Sequence, residues 1–227
     1  MKKFSLINLF ILVGNVGVPG SAIALALLYP QKPFGWIFTC FIIFHSFERV
    51  WETFFTSKER KARQFHGDWT LALVTLTYII LCLLIIFEFF ISNKPVSSTV
   101  TFVGVFIYLI AFRIRWWGMK SLGSQWSIHA VGAIKLKHYR LLRLGAYRYI
   151  RHPVYFAIML EELSLPLISN AFFSLSFAIA VCIPLVIIRA IFEEKSSIRK
   201  FGKTYLDYKN EVGMFFPIQL FRQLLLK

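Results

Sequence analysis

The stretch R-H-P-V-Y, Arg151 to Tyr155, opens an apolar block whose reading decides the fold: P-V-Y-F-A-I-M-L-E-E-L-S-L-P-L-I-S-N-A-F-F-S-L-S-F-A-I-A-V-C-I-P-L-V-I-I-R-A-I-F, residues 153–192. A helix crossing the roughly 30 Å of bilayer hydrocarbon at about 1.5 Å per residue needs about 20 residues. The block is too long for one crossing, and Pro166, Ser169 and Asn170 break it near its middle. It reads as a helical hairpin, down and back. Its two ends then face one side of the membrane. The first carries R-H-P-V-Y; the second carries Arg189, Glu193 and Glu194, followed by Gly202, Tyr205, Tyr208 and Pro217. Ionisable groups at the ends of buried helices define a candidate functional site by default.

Composition agrees with a membrane setting. Of the 227 residues, 57% are hydrophobic, 18% aromatic and 16% charged, whereas a soluble domain averages roughly 45–50% apolar. Four further apolar runs, Phe4–Tyr29, Phe34–Phe55, Trp69–Ile91 and Val100–Trp117, each approach the length of one span. The expected fold is all-α: a polytopic membrane helix bundle of four spans plus the C-terminal helical hairpin. Lys2-Lys3 and the run after them also suit a signal peptide, but the run is too long for an h-region and no clean A-x-A-like site follows, so a first span is the better reading.

Basic residues orient the chain. Lys58, Arg60, Lys61 and Arg63 follow the second run, and Lys120, Lys135, Lys137, Arg140, Arg143, Arg148 and Arg151 follow the fourth. The tail adds Lys195, Arg199, Lys200, Lys203 and Lys209, while Lys32 and Lys94 stand in the opposite loops. The positive-inside rule then places the N-terminus, residues 119–152 and the C-terminal tail in the cytoplasm, with both polar clusters. The net charge of +15 is spread over loops that flank spans, which suits attraction to anionic headgroups and not a nucleic-acid-binding fold. Cys40, Cys82 and Cys182 lie inside apolar runs without C-x-x-C spacing and read as small buried hydrophobes.

Local chemistry sharpens the two clusters. A residue before proline is pushed out of helical geometry, and proline suits a helix's first turn, so His152 stands at the mouth of a helix that starts at Pro153. Free backbone donors and the helix dipole favour an anion there. Tyr155 falls in the same first turn. Arg189 and Glu193, four apart, share a helix face, while Glu194 is turned by about 100°. Two readings are open: an Arg189–Glu193 pair lining a pocket with Glu194 free for another partner, or a helix end whose charges snorkel to the interface.

Other polar groups have plainer readings. His45, Glu48, Arg49 and Glu52 end the second run and form an expected ion network at the interface. Glu161 and Glu162, inside the hairpin, require a buried partner or a water-filled cavity. Glu88 lies near the far interface and needs no function. His129 and His138 lack metal-ligand spacing.

From Leu122 to Pro217 the chain resembles the isoprenylcysteine carboxyl methyltransferase and phospholipid methyltransferase superfamily. The matching residues are Leu122-Gly123 with Trp126, Gly145-Ala146-Tyr147 running to Tyr155, Arg189 with Glu193-Glu194, and Gly202 with Tyr205, Tyr208 and Pro217. The resemblance implies a membrane helix bundle without the Rossmann fold, in keeping with the lack of a strand leading into a glycine-rich turn. It implies S-adenosylmethionine as cofactor, bound on the cytoplasmic side, and no metal. Carried over by position, His152, Tyr155 and either Glu193 or Glu194 contact the cofactor, with Gly145, Tyr149 and Tyr205 in the same binding set; Arg189 and Glu193 form the catalytic pair, Arg189 orienting the acceptor. The implied acceptor is a lipid-like or prenylated molecule reached through membrane lipids, its carboxylate or hydroxyl oxygen taking the methyl group. Residues 1–118 then hold the N-terminal spans and 119–227 the catalytic core.

The sequence departs from the family pattern at Phe156-Ala157 and at Lys195-Ser196-Ser197, which leaves the acceptor open. Membrane sterol reductases share a related pattern and use NADPH, but carry an asparagine after R-H-P and an aspartate–glutamate pair. Val154 and Glu193-Glu194 favour the methyltransferase. A transporter or scaffold, with Glu48, Arg49, Glu161 and Glu162 along a path, lacks the paired broken helices of two similar halves.

Overall fold

The computed structural model describes residues 6–54, 69–126 and 139–217; His129 and His138 lie outside them. Helices dominate: α1 Leu6–Leu28, α2 Gly35–Phe54, α3 Trp69–Ile91, α4 Ser98–Leu122, α5 Pro153–Ser169, α6 Phe172–Phe201 and α7 Lys203–Glu211. Among the described residues there is no named strand, and the all-α expectation holds.

Among the described residues, three helices are long and apolar enough to cross a membrane: α3, α4 with its 3-10 extension to Gln125, and α6. They support a membrane protein, and the four-plus-hairpin count remains an expectation. The last turns of α2 hold Glu48, Arg49 and Glu52, and α5 is 17 residues long with Glu161 and Glu162 inside it. Charge and length remove both from that class.

The hairpin is present, and its break falls at Asn170, one of the three residues read for it. Pro166 stays inside α5. The chain reverses at Asn170, whose φ of 55° and ψ of 33° are left-handed, a conformation asparagine tolerates better than most residues. Ala171 N–H donates to the Pro166 carbonyl at 2.8 Å and Asn170 N–H to Leu167 at 3.2 Å, closing the helix end. The Asn170 side chain then ties the turn to the start of α4: its Oδ1 accepts from Ser97 N–H at 3.0 Å and its Nδ2 donates to Thr101 Oγ1 at 2.8 Å. Glu88, at the end of α3, accepts from Phe173 N–H at 3.0 Å and Ser174 N–H at 2.8 Å. It caps α6, where a carboxylate meets free donors and the positive end of the dipole.

Pro184 explains a widened turn in α6. Residues Ala178–Cys182 form a π-turn, with Ile183 N–H reaching the Ala178 carbonyl five residues back. Proline cannot donate to the carbonyl four residues earlier and crowds it, and a π-turn opens the ladder at that point.

The seam between α4 and α5 is built from small residues. Gly104, Ala111 and Gly118 recur every seven residues along α4, and all three are buried. A Cβ on Gly104 would meet the backbone N of Ile168 at 2.6 Å, and one on Gly118 would meet Val154 Cγ2 at 2.9 Å. Side chains this small let two membrane helices approach closely enough for backbone contact. The main apolar core lies on the other face, where Ile42, Leu81, Ile85, Ile86, Leu165 and Ala178 are almost fully buried among α2, α3, α5 and α6.

Candidate active site

The two motif clusters meet at the end of the bundle where α5 begins and α6 finishes. His152 has φ −127° and ψ 63°, outside the helical region, as the following proline requires. The His152 side chain makes no capping hydrogen bond to the α5 N-terminus. The residues before Pro153 pair instead with the chain after α7: Arg151 N–H donates to the Gly213 carbonyl at 2.9 Å and His152 N–H to Met214 at 3.1 Å. An isolated parallel bridge between Ile150 and Gly213 continues this contact. The tail is therefore stitched to the R-H-P-V-Y stretch by its backbone.

Glu194 is the hub of the side chains. Its Oε1 accepts from Arg151 Nε at 2.8 Å and lies 3.3 Å from His152 Nε2. Its Oε2 pairs with Lys209 Nζ of α7 at 2.8 Å. Arg151 also donates from Nη1 to the carbonyls of Lys209, at 3.0 Å, and Val212. The Arg151 and Glu194 side chains are 7% and 5% exposed, so this is a buried, charge-assisted lock between α5, α6 and the tail. The expectation of a Glu194 free for another partner is corrected: its carboxylate is already taken by three cationic or imidazole neighbours.

Arg189 has a partner on another helix. It turns toward α3, where its Nη1 donates to Thr70 Oγ1 at 2.9 Å, and its guanidinium lies 5.9 Å from the Tyr155 ring centroid. The structure ties this buried side chain to another helix through Thr70. Burial also removes it from the snorkelling reading. Tyr155 is shared between the clusters, since its ring stacks on His152 at 5.5 Å with a 24° interplanar angle. Phe215 of the tail stands 6.1 Å from the same imidazole.

Glu193 is half-buried, and its charge acts on a group of tyrosines. Burial first, and then the negative charge of Glu193 among its neighbours, push the hydroxyls of Tyr139 and Tyr147 above the usual tyrosine range. Burial, Glu194 and Glu193 do the same to Tyr205. All three remain protonated and able to donate. Tyr205 packs edge-on to Tyr208 at 5.9 Å, and Tyr208 donates to the Tyr147 carbonyl at 2.6 Å. Gly145 and Tyr149 face α4. Gly145, at φ 62°, lies so close to Ser121 that a side chain has no room, and Ser121 Oγ accepts from Ala146 N–H at 3.1 Å. Tyr149, 42% exposed, packs its ring 5.7 Å from Trp117.

A second polar cluster gathers deeper in the bundle: His45, Glu48, Arg49 and Glu52 of α2, Tyr78 of α3, Tyr108 and Arg115 of α4, and Glu161 of α5. The ion network read for α2 is thus real and extends across four helices, and Arg115 supplies the buried partner that Glu161 requires. His45, Glu48 and Glu161 offer ligand atoms within 4.8 Å of one another. Yet Glu48 faces one ring nitrogen of His45 and Glu161 the other, with two guanidinium groups among them. That is a set of ion pairs and not a coordination sphere.

Fold and site together define a helical membrane protein whose polar end is closed over by its own tail. Residues 102–199 match the isoprenylcysteine carboxyl methyltransferase (ICMT) family. The uncharacterized protein YpbQ of Bacillus subtilis (strain 168) is 29% identical over 96 residues, which cover 42% of this chain and 54% of that protein. The chain therefore spans about half the length of the curated relative it matches.

Three contributors escaped sequence reasoning. Thr70, which holds Arg189, lies in α3 outside the family match. Lys209 reads as one more solvated lysine until α7 folds back on Glu194. Arg115 sits in an apolar run, and an arginine inside such a run is itself a signal of a buried partner.

Proposed function

We propose that the protein is a membrane methyltransferase that transfers a methyl group from S-adenosylmethionine to a carboxylate or hydroxyl oxygen of a lipid-like or prenylated acceptor, at a site on the cytoplasmic face. The observation that carries this reading is the family match over residues 102–199, because that segment contains Arg151, His152, Tyr155, Arg189, Glu193 and Glu194, the residues gathered at one end of the bundle. The donor set fits such a cofactor. A helix N-terminus that its own N-cap side chain leaves open suits a carboxylate, the rings of Tyr155, His152 and Phe215 suit an adenine, and half-buried Glu193 suits an ammonium or ribose hydroxyls.

When bound, the cofactor supplies its own leaving group, so the protein has to align the acceptor and exclude water. Arg189, fixed by Thr70 and Tyr155, orients an anionic acceptor oxygen with a rigid fork of donors. The lock of Arg151, Glu194 and Lys209 keeps the tail closed over the site. A carboxylate acceptor needs no base; a hydroxyl acceptor gives its proton to Glu193 or His152.

Calorimetric titration of the protein in nanodiscs with S-adenosylhomocysteine tests the reading. Saturable binding that NADPH does not compete away supports it, together with methyl transfer into extracted membrane lipid that a Glu193→Ala variant lacks. No binding in nanodiscs or in several detergents sinks it.

A further inference from the structure

Two lysines from separate turns converge on one cavity. Lys32 lies between α1 and α2, and Lys94 between α3 and α4. Both line a cavity of about 260 Å³ at the end of the bundle opposite His152, where α5 stops at Ser169 and α6 starts at Phe172. The hairpin break adds Ser169 and Asn170 to its wall. Sites for drug-sized ligands occupy roughly 300–1,000 Å³. This smaller space suits a compact polar group.

The polar groups around the cavity lack an anion for these lysines. Lys32 Nζ donates to the Ser92 carbonyl and lies 5.5 Å from the Phe89 ring centroid, both neutral partners. Lys94 is exposed, and it is its backbone N–H that reaches Ser92 Oγ at 3.2 Å. Among the described residues neither ammonium forms an ion pair. The carboxylate in the lining, Glu88, is directed at α6: Oε1 accepts from Phe173 N–H, and Oε2 from Ser174 N–H and Ser174 Oγ. Ser97 adds to the lining a hydroxyl that makes no capping bond to α4. Burial holds the Lys32 ammonium below the usual lysine range, and an adjacent anion would reverse that shift. The same helix ends expose Trp36, Ile91, Phe172 and Phe173. Aromatic side chains at helix ends sit at the level of lipid headgroups, so the anion within reach of this cavity is a lipid phosphate.

We propose that this cavity binds the phosphate of a phospholipid from the adjoining leaflet, shared between the ammonium groups of Lys32 and Lys94. The two amines hold the phosphate by charge-assisted hydrogen bonds, and the acyl chains follow the apolar helices. The headgroup thereby joins the α1–α2 turn to the α3–α4 turn at the end remote from the motif clusters. Both lysines lie outside residues 102–199, so the inference is independent of the methyltransferase reading.

Acylation of lysine amines, read residue by residue by mass spectrometry on the full chain in detergent, tests the site. Added phosphatidylglycerol should slow the reaction of Lys32 and Lys94 together. Lys94→Gln, an exposed change, should weaken the protection of Lys32 by about fivefold, the contribution of one lysine at an anionic lipid. Diacylglycerol, which has the chains without the phosphate, and inorganic phosphate at the same concentration should protect neither amine. Equal protection by diacylglycerol overturns the proposal, because the chains then merely shield the amines. Equal protection by inorganic phosphate overturns the assignment to a lipid. Undiminished protection of Lys32 in the Lys94→Gln variant overturns the shared site, and so does an absence of protection in the parent.

Discussion

Arg151 and Glu194, 43 residues apart, meet through Nε–H and Oε1 at 2.8 Å in a setting where each side chain is under a tenth exposed. Removing one partner of such a pair strands the other as a buried charge, at a cost of about 3–5 kcal/mol. Glu194→Ala should therefore melt many degrees below the parent. Limited proteolysis should open the segment after α7, since Lys209 loses its anchor in the same step. An unchanged melting temperature would show that the lock contributes nothing.

Glu193 offers the contrast within one turn of α6. It is half-buried and outside the lock, so Glu193→Ala should alter stability by no more than about 0.5 kcal/mol. On the proposed function it should weaken S-adenosylhomocysteine binding by about tenfold or more, which is ~1.4 kcal/mol. Titration calorimetry beside a melting curve separates the two residues; parallel losses in both variants would show that the acidic pair acts as a structural unit.

Arg189→Lys keeps the charge and removes the fork that reaches Thr70. On the reading that this residue orients the acceptor, turnover should fall strongly, while cofactor affinity changes by less than about tenfold. Thr70→Val should reproduce part of the loss in turnover with the arginine intact. If cofactor binding collapses together with turnover in the lysine variant, Arg189 belongs to the cofactor site or to the fold.

Gly104 predicts a packing result without reference to function. A Cβ there meets backbone, the Ile168 nitrogen at 2.6 Å, so the helices must separate to admit it. Gly104→Leu should destabilise the bundle by about 1–3 kcal/mol. Gly20, in α1, has nothing within 4 Å of an added Cβ. Gly20→Ala should be neutral or stabilising by up to about 1 kcal/mol, as an ordinary helix substitution. Equal destabilisation by both changes would mean that the α4–α5 seam is not as close as described.

Much of the fold was legible because helix length and apolarity are properties of contiguous sequence. The runs beginning at Phe4, Phe34, Trp69 and Val100 fall on α1 to α4, and the block from Pro153 divides into α5 and α6. The break was legible at Pro166, Ser169 and Asn170 together, but not which of the three makes the reversal. Pro166 looks like the interruption in one dimension, yet a proline late in a helix keeps its φ, and the reversal requires the left-handed backbone that Asn170 adopts. The widened turn before Pro184 was equally invisible, since it depends on how one carbonyl is displaced.

The sequence by itself determined an all-helical membrane protein, its hairpin, and the two motif clusters carried by the hairpin's ends. Those features follow from composition, from run length and from the fixed backbone preferences of proline and its neighbour. Only the tertiary structure decided which charges meet. Helical spacing permits an Arg189–Glu193 pair; α3 brings Thr70 to Arg189, while α7 and the tail bring Lys209 and the backbone of residues 212–214 to Arg151, His152 and Glu194. A one-dimensional pattern states which faces a helix owns, and the packing of other helices determines which of its charges find partners.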